Sequence, residues 1–442
     1  MSNLDICRKA VKLAKKLGAS DAECEISTGE SMSISAFGGK SEGLSGKASI
    51  GLNITAYMGQ KVGSFTVNDL SNSSVEDAVK TAILMAKGSP ENQYEGVADK
   101  SLIQPVTAEM LKQLDQIDTE AGFTPAEMLQ MACEMEQSAL AVAGVQSTRS
   151  SKVSQSTSLT AIAISNGFEA EEGYTIRSAF VDPIAAQGDL KVTGYDYHYA
   201  FHKADLDAVA KIGQTAGEKT AAMLKQVKMP KTGKMPVLLS PEMAAQMLKG
   251  CISSCLSGGA IYAEQSFVSK DDLGKQLFGK NINLLDNRTI PRGLGSSAFT
   301  GSGIVGPESV HLIKDGVIEN LTMGVVTARK LGMSPALGRP ALYNGYFKPG
   351  LQSVSDISSD IKLGFYVTGM MGNGFNAING DLSYTVEGYI IRNGIISDDF
   401  VLEATVAGNI KDMLNNVTFA NNLMRRNGID ASTARVDGLT IG

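Results

Sequence analysis

The chain of 442 residues has three histidines, and two of them, His198 and His202, stand four apart with Asp196 close by. That separation can bring two imidazoles and a carboxylate to one metal ion. The run from Tyr195 to His202 alternates like a strand, however, and no glutamate adjoins His198 to serve as a base, so a polar strand face is the competing reading. His311 and Ser309 share one face of another strand-like run, which alone makes no dyad, and no Gly-x-Ser-x-Gly elbow occurs. Cys251 and Cys255 are also four apart, on a predicted helix. They could hold a metal only with partners from elsewhere, and buried thiols acting as small hydrophobes explain them better.

Two glycine patterns touch nucleotide chemistry. Gly301-Ser302-Gly303-Ile304-Val305-Gly306 has dinucleotide-binding spacing, but that motif needs a strand before it and a helix opening on it. Turn residues precede it and no long helical pattern follows. Gly213 to Thr220 ends in Gly217-Glu218-Lys219-Thr220, a near miss to a phosphate loop with an extra glutamate, set in a continuous helical pattern.

Composition narrows the field further. With 40 basic and 46 acidic side chains the net charge is −6, so no broad basic field exists to hold nucleic acid. The first 18 residues read as an amphipathic helix broken by Arg8, Lys12, Lys15 and Lys16, without the apolar core of a signal peptide. No apolar run reaches the length of about 18 residues that spans a membrane. An odd number of scattered cysteines, 5 in all, fits reduced thiols in a cytoplasm.

The elements that would position any site fall into two unlike halves, an α+β organisation. Period-two segments at 22–27, 31–37, 47–58 and 61–66 predict strands, and helical spacing predicts helices at 73–87, 124–142 and 206–227. Ser73 with Glu76 and Thr124 with Glu127 are candidate capping boxes, the second followed by Pro125 at the first helical position. Strand-like sequence fills 145–202. The polar stretch Met229 to Pro236 marks the expected boundary between an N-terminal α+β domain, 1–228, and a mainly antiparallel β domain, 229–442. In the latter, helical patterns are confined to 240–256, 323–331 and 409–424.

Several motifs occur in order along the chain. They are Gly63-Ser64-Phe65 with Asn68-Asp69-Leu70-Ser71, Gly293-Leu294-Gly295-Ser296-Ser297, Ile313-Lys314-Asp315-Gly316-Val317 and Ala328-Arg329-Lys330-Leu331-Gly332. Asn376-Ala377-Ile378-Asn379-Gly380-Asp381-Leu382-Ser383 and Ala407-Gly408-Asn409-Ile410-Lys411-Asp412-Met413 complete the set. Together they resemble the TldD/PmbA family, also called modulator of DNA gyrase, over nearly the full length.

The resemblance implies a family with two kinds of subunit. The TldD kind resembles a zinc peptidase and carries His-Glu-x-x-x-His on a helix, with a further cysteine ligand near its C-terminus. The PmbA, or TldE, kind is a paralogue without them. The corresponding helix here includes Met247 to Ser254, and ungapped placement sets Lys249 and Ser254 at the histidine positions and Gly250 at the glutamate position. No cysteine follows Cys255. An ammonium repels Zn²⁺, and neither Gly nor Ser replaces the base.

The chain is therefore expected to be the PmbA-like, non-catalytic subunit of a cytoplasmic metallopeptidase that trims or degrades unfolded peptides. It would bind no cofactor itself, with zinc in a TldD-like partner, and would form a homo- or heterodimer without nucleic acid or membrane. Extended peptides pair with sheet edges through their backbone, so Gly293, Gly295, Ser296, Gly372 and Gly374 are candidate groove positions that allow close approach. Two alternatives stay open: a self-sufficient peptidase using Asp196, His198 and His202, and a homodimeric peptide-binding protein without protease activity.

Overall fold

The computed structural model describes residues 2–372 and 374–442. In the N-terminal half, β1 (Asp21–Phe37), β2 (Lys40–Met58), β3 (Lys61–Val67), β4 (Val145–Ile164), β5 (Glu169–Gln187) and β6 (Leu190–Thr193) form one antiparallel sheet in the order β3-β2-β1-β4-β5-β6. A seventh strand, β7 (Asp196–Ala200), pairs with β5. The turn expected at Gly38-Gly39 forms, but strands expected to break near residues 28–30 and 40–46 run on instead. Gly29 and Gly46 read as turn residues in isolation, but each is held in register, Gly29 between Ser49 and Ser158 and Gly46 opposite Met32.

Alternation sets the sheet's inner face. Cys24 and Ile26 at one end of β1, and Ile34 and Ala36 at the other, lie on the same side and are all buried. Helices Asn3–Lys16 and Asn72–Gly88 cover the first pair, and helices Pro125–Leu140 and Val209–Ala222 the second. The Thr124–Glu127 capping box forms as expected. The Asn72–Gly88 helix is capped by Ser71, held by Asp69, rather than by Ser73. Within Val209–Ala222 a Cβ on Gly213 would lie 2.1 Å from the Met135 carbonyl oxygen. The phosphate-loop near miss is thus a helix whose glycine lets it lie close against Pro125–Leu140.

The C-terminal half contains β8 (Gly233–Leu239), β9 (Leu284–Asn287), β10 (Ser309–Lys314), β11 (Val317–Ile318), β12 (Gly345–Phe347), β13 (Leu363–Met371), β14 (Asp381–Arg392), β15 (Ile395–Asn409), β16 (Val417–Phe419), β17 (Met424–Arg426), β18 (Ile429–Ala431) and β19 (Ala434–Ile441). They build a six-stranded sheet in the order β15-β14-β13-β8-β19-β16, a four-stranded sheet in the order β11-β10-β9-β12, and the β17–β18 hairpin. The pairing is antiparallel apart from β8 with β13, which run parallel because the chain crosses over between them. Helix 241–255 shares one buried cluster with both sheets: Met247 and Ile252 pack among Val237, Phe365, Leu284 and Leu312. The helix expected at 409–424 is only Ile410–Asn415, since β16 and β17 take up the rest. Residues 301–306 turn directly toward β10 without opening a helix, so no phosphate-binding helix terminus exists there.

The halves are clasped at several points. The Arg329 guanidinium donates to the carbonyls of Tyr94, Gly96 and Val97 at 3.1, 3.0 and 2.7 Å. Arg292 reaches Asp115 at 2.6 Å and Asp205 at 2.8 Å.

Candidate functional site

Helix 241–255 begins where the Ser240 hydroxyl accepts the Met243 N–H and Pro241 takes the first helical position. Its middle, Ala245–Gly250, is a π-helical turn, a form that stretches the ladder and recurs at functional sites. That turn contains Lys249 and Gly250, two of the three positions compared with a zinc helix, and Ser254 lies in the α-helical turn that follows. Lys249 is half-buried, whereas Gly250 and Ser254 face solvent. The Lys249 ammonium lies 3.5 Å from the Asp430 carbonyl oxygen. Burial depresses its pKa, an effect opposed by the Asp430 and Asp286 carboxylates. The Ser254 hydroxyl is spent on the Cys251 carbonyl at 2.7 Å.

Zinc needs imidazole, carboxylate or thiolate ligands. Burial pushes the Cys251 and Cys255 thiols up to about 11, so both are neutral near pH 7. Among the described residues no three His, Cys, Asp or Glu side chains come together to hold a metal ion. The residues of this helix do not fit a zinc ion.

The other candidate ligands are pulled apart by separate partners. Asp196 is buried and splits its oxygens between Lys219 at 2.8 Å and Arg426 at 3.2 Å. His198 Nδ1 accepts the Asp207 N–H at 2.9 Å, and burial lowers its pKa. His202 Nε2 lies 2.8 Å from the Asp115 carbonyl oxygen. Asp196 joins the halves through Arg426, whereas the two histidines bond within the N-terminal half, and among the described residues the three form no shared metal site. His311 is paired in β10, and its carbonyl accepts the Asn320 side chain at 2.7 Å.

Among the candidate groove positions, a Cβ on Gly295 would fall 2.0 Å from the Tyr343 carbonyl oxygen, and one on Gly374 would fall 1.6 Å from that of Ser383. The close approach these glycines permit is to the chain itself. Ser296 is buried, its hydroxyl bonded to Ile290 and Asn344. Gly293 lines a cavity between the halves, and Gly372, with a left-handed φ of 82°, has open space beside it.

That cavity, about 420 Å³, and a second of about 520 Å³ are both lined by Arg426 and Asn427 of the β17–β18 hairpin. Asn427 reads the backbone of β7: its amide donates to the Tyr197 carbonyl at 2.9 Å and accepts the Tyr199 N–H at 3.1 Å. Sequence inspection singled out neither residue. The only local signal is the Asn427-Gly428 pair, a hairpin-turn signature.

Three family models cover the chain in order. PmbA/TldA metallopeptidase domain 1 matches residues 22–86, the central domain 118–224 and the C-terminal domain 232–442. Metalloprotease PmbA of Escherichia coli O157:H7 is 29% identical over 446 residues, covering 99% of this chain and 96% of that protein. Metalloprotease PmbA homolog of Haemophilus influenzae is 27% identical, covering 98% and 94%. In fold, a candidate modulator of DNA gyrase from Bacteroides thetaiotaomicron superposes with a TM-score of 0.91 at 23% identity, covering 100% of this chain and 98% of that one. The chain belongs to the PmbA/TldD family of metallopeptidase-like proteins.

Proposed function

We propose that this chain is the PmbA-like, non-catalytic subunit of a two-chain cytoplasmic zinc peptidase, its metal and base supplied by a TldD-like partner. The observation that carries this reading is the content of helix 241–255: an ammonium at Lys249, no side chain at Gly250 and a spent hydroxyl at Ser254. A water activated for peptide hydrolysis needs a Lewis acid and a base, and this helix offers neither. The substrates would be unfolded peptides held extended along sheet edges, past the cavity that Gly293 lines and the open backbone at Gly372, the chain completing the chamber in a heterodimer. The division at residues 228 and 229 would separate an N-terminal half from the peptidase-like half that faces the partner.

The name metalloprotease carried by both relatives favours a second reading, in which this chain cleaves peptides alone. Metal analysis of the purified chain after dialysis against a chelator separates the two. The subunit reading expects far less than one zinc per chain. Stoichiometric, tightly held zinc would overturn it in favour of the self-sufficient peptidase.

A further inference from the structure

The cavity of about 520 Å³ between the halves has a composition that peptide-backbone binding does not explain. On one wall the rings of Phe180, Tyr195, Tyr197 and Tyr199 form a ladder with successive centroids 6.2, 6.1 and 5.9 Å apart, and Tyr195 and Tyr197 face the cavity. Tyr366 and Tyr389, from β13 and β14, line it as well. Two carboxylates share this aromatic setting, Glu242 in the first helical turn and Glu387 on β14. Burial raises the Tyr195 phenol pKa, and both glutamates add to the effect.

Neither glutamate has a hydrogen-bond or salt-bridge partner among the described residues. Burial pushes both upward in pKa. The nearby cations are already committed: Lys219 and Arg426 are matched by Asp196 and Asp207. Glu387 therefore has no cation acting on it, and Glu242 has only a share of Lys219 and Arg426, whose ion pairs are made with the aspartates.

The fold makes room for one of them. β13 carries a bulge between Val367 and Gly369, and Gly369 sits opposite Glu387. A Cβ at 369 would come 2.4 Å from Glu387 Oε1. Bulges of this kind re-aim side chains beside sites.

We propose that this cavity binds an aliphatic-stemmed organic cation, such as the lysine side chain of an extended peptide. The cation would meet carboxylates and ring faces together, while Met370, Met371 and Met424 accommodate the stem. The site stands on its own geometry, and the subunit reading enters only in naming a peptide as the source of the cation.

Calorimetric titration of the full chain alone tests this. The ligands are an acetylated Gly/Ser decapeptide with one central lysine, the same peptide with norleucine there, and free spermidine. The lysine peptide should bind about tenfold more tightly than the norleucine peptide. In the Glu242→Gln/Glu387→Gln double variant that advantage should vanish with no fall in melting temperature, and Tyr195→Leu should reduce it severalfold. Spermidine binding with the same glutamate dependence, and no peptide preference, would keep the cation site and make the source a polyamine. Equal binding of both peptides with no spermidine binding, or a preference that survives the double substitution, would overturn the proposal. No partner or zinc is present, so failure here leaves the subunit reading intact, and the converse holds.

Discussion

Lys249 and Asp430 face each other across the space between helix 241–255 and the β17–β18 hairpin, the ammonium 3.5 Å from the Asp430 carbonyl oxygen. The Asp430 carboxylate is engaged separately by Arg425 at 2.9 Å. A partly desolvated cation with one long contact contributes little to stability. Lys249→Met should leave the melting temperature unchanged or raise stability by about 1 kcal/mol. Peptidase activity of the mixture with a TldD-like partner should stay within about threefold of wild type. Were the Lys249 amine instead to move a proton in the reaction, its loss would cost about 10²- to 10⁴-fold, so initial rates tell the two roles apart.

Asp196 ties β7 to helix Val209–Ala222 through Lys219 and to the hairpin through Arg426. Asp196→Asn leaves both cations facing a neutral amide at a buried position. Urea unfolding should show a loss of about 2–3 kcal/mol. Limited proteolysis should also cut faster near residues 228–234, where the chain passes between its halves. An unchanged unfolding midpoint would show that the clasp contributes nothing.

Glu23 gives a pH signature. Burial raises its pKa from 4.5 to about 7, and the Tyr57 hydroxyl donates to it at 3.3 Å. Between those values the folded chain keeps a proton that the unfolded chain has lost. Stability therefore falls as pH rises from about 4.5 through about 7 and levels off above. Glu23→Gln removes this slope and should be more stable than wild type by about 2 kcal/mol at pH 8, with little difference at pH 4.5. Thermal unfolding at the two pH values checks the sign.

Local physics made much of this legible. The Thr124–Glu127 box predicts a helix start because both halves of the reciprocal bond lie within four residues, and the structure forms them at 3.3 and 2.7 Å. The zinc-helix comparison placed Lys249, Gly250 and Ser254 on a real helix, although the π-helical turn that holds the first two has no sequence signature. Errors came where distant pairing overrides local preference. Gly29 and Gly46 look like turns until neighbouring strands fix them. The role of the hairpin was invisible because Asn427 and its partner Tyr199 are 228 residues apart. The motif residue Arg329 likewise holds the halves together, through carbonyls more than 230 residues away.

The most direct test of the subunit reading is peptidase activity on an unfolded peptide for this chain alone, a TldD-like partner alone, and their equimolar mixture. The account predicts no cleavage by this chain, little by the partner, and strong zinc-dependent cleavage by the mixture. Full activity from the partner alone that this chain does not increase, or cleavage by this chain alone, would contradict it.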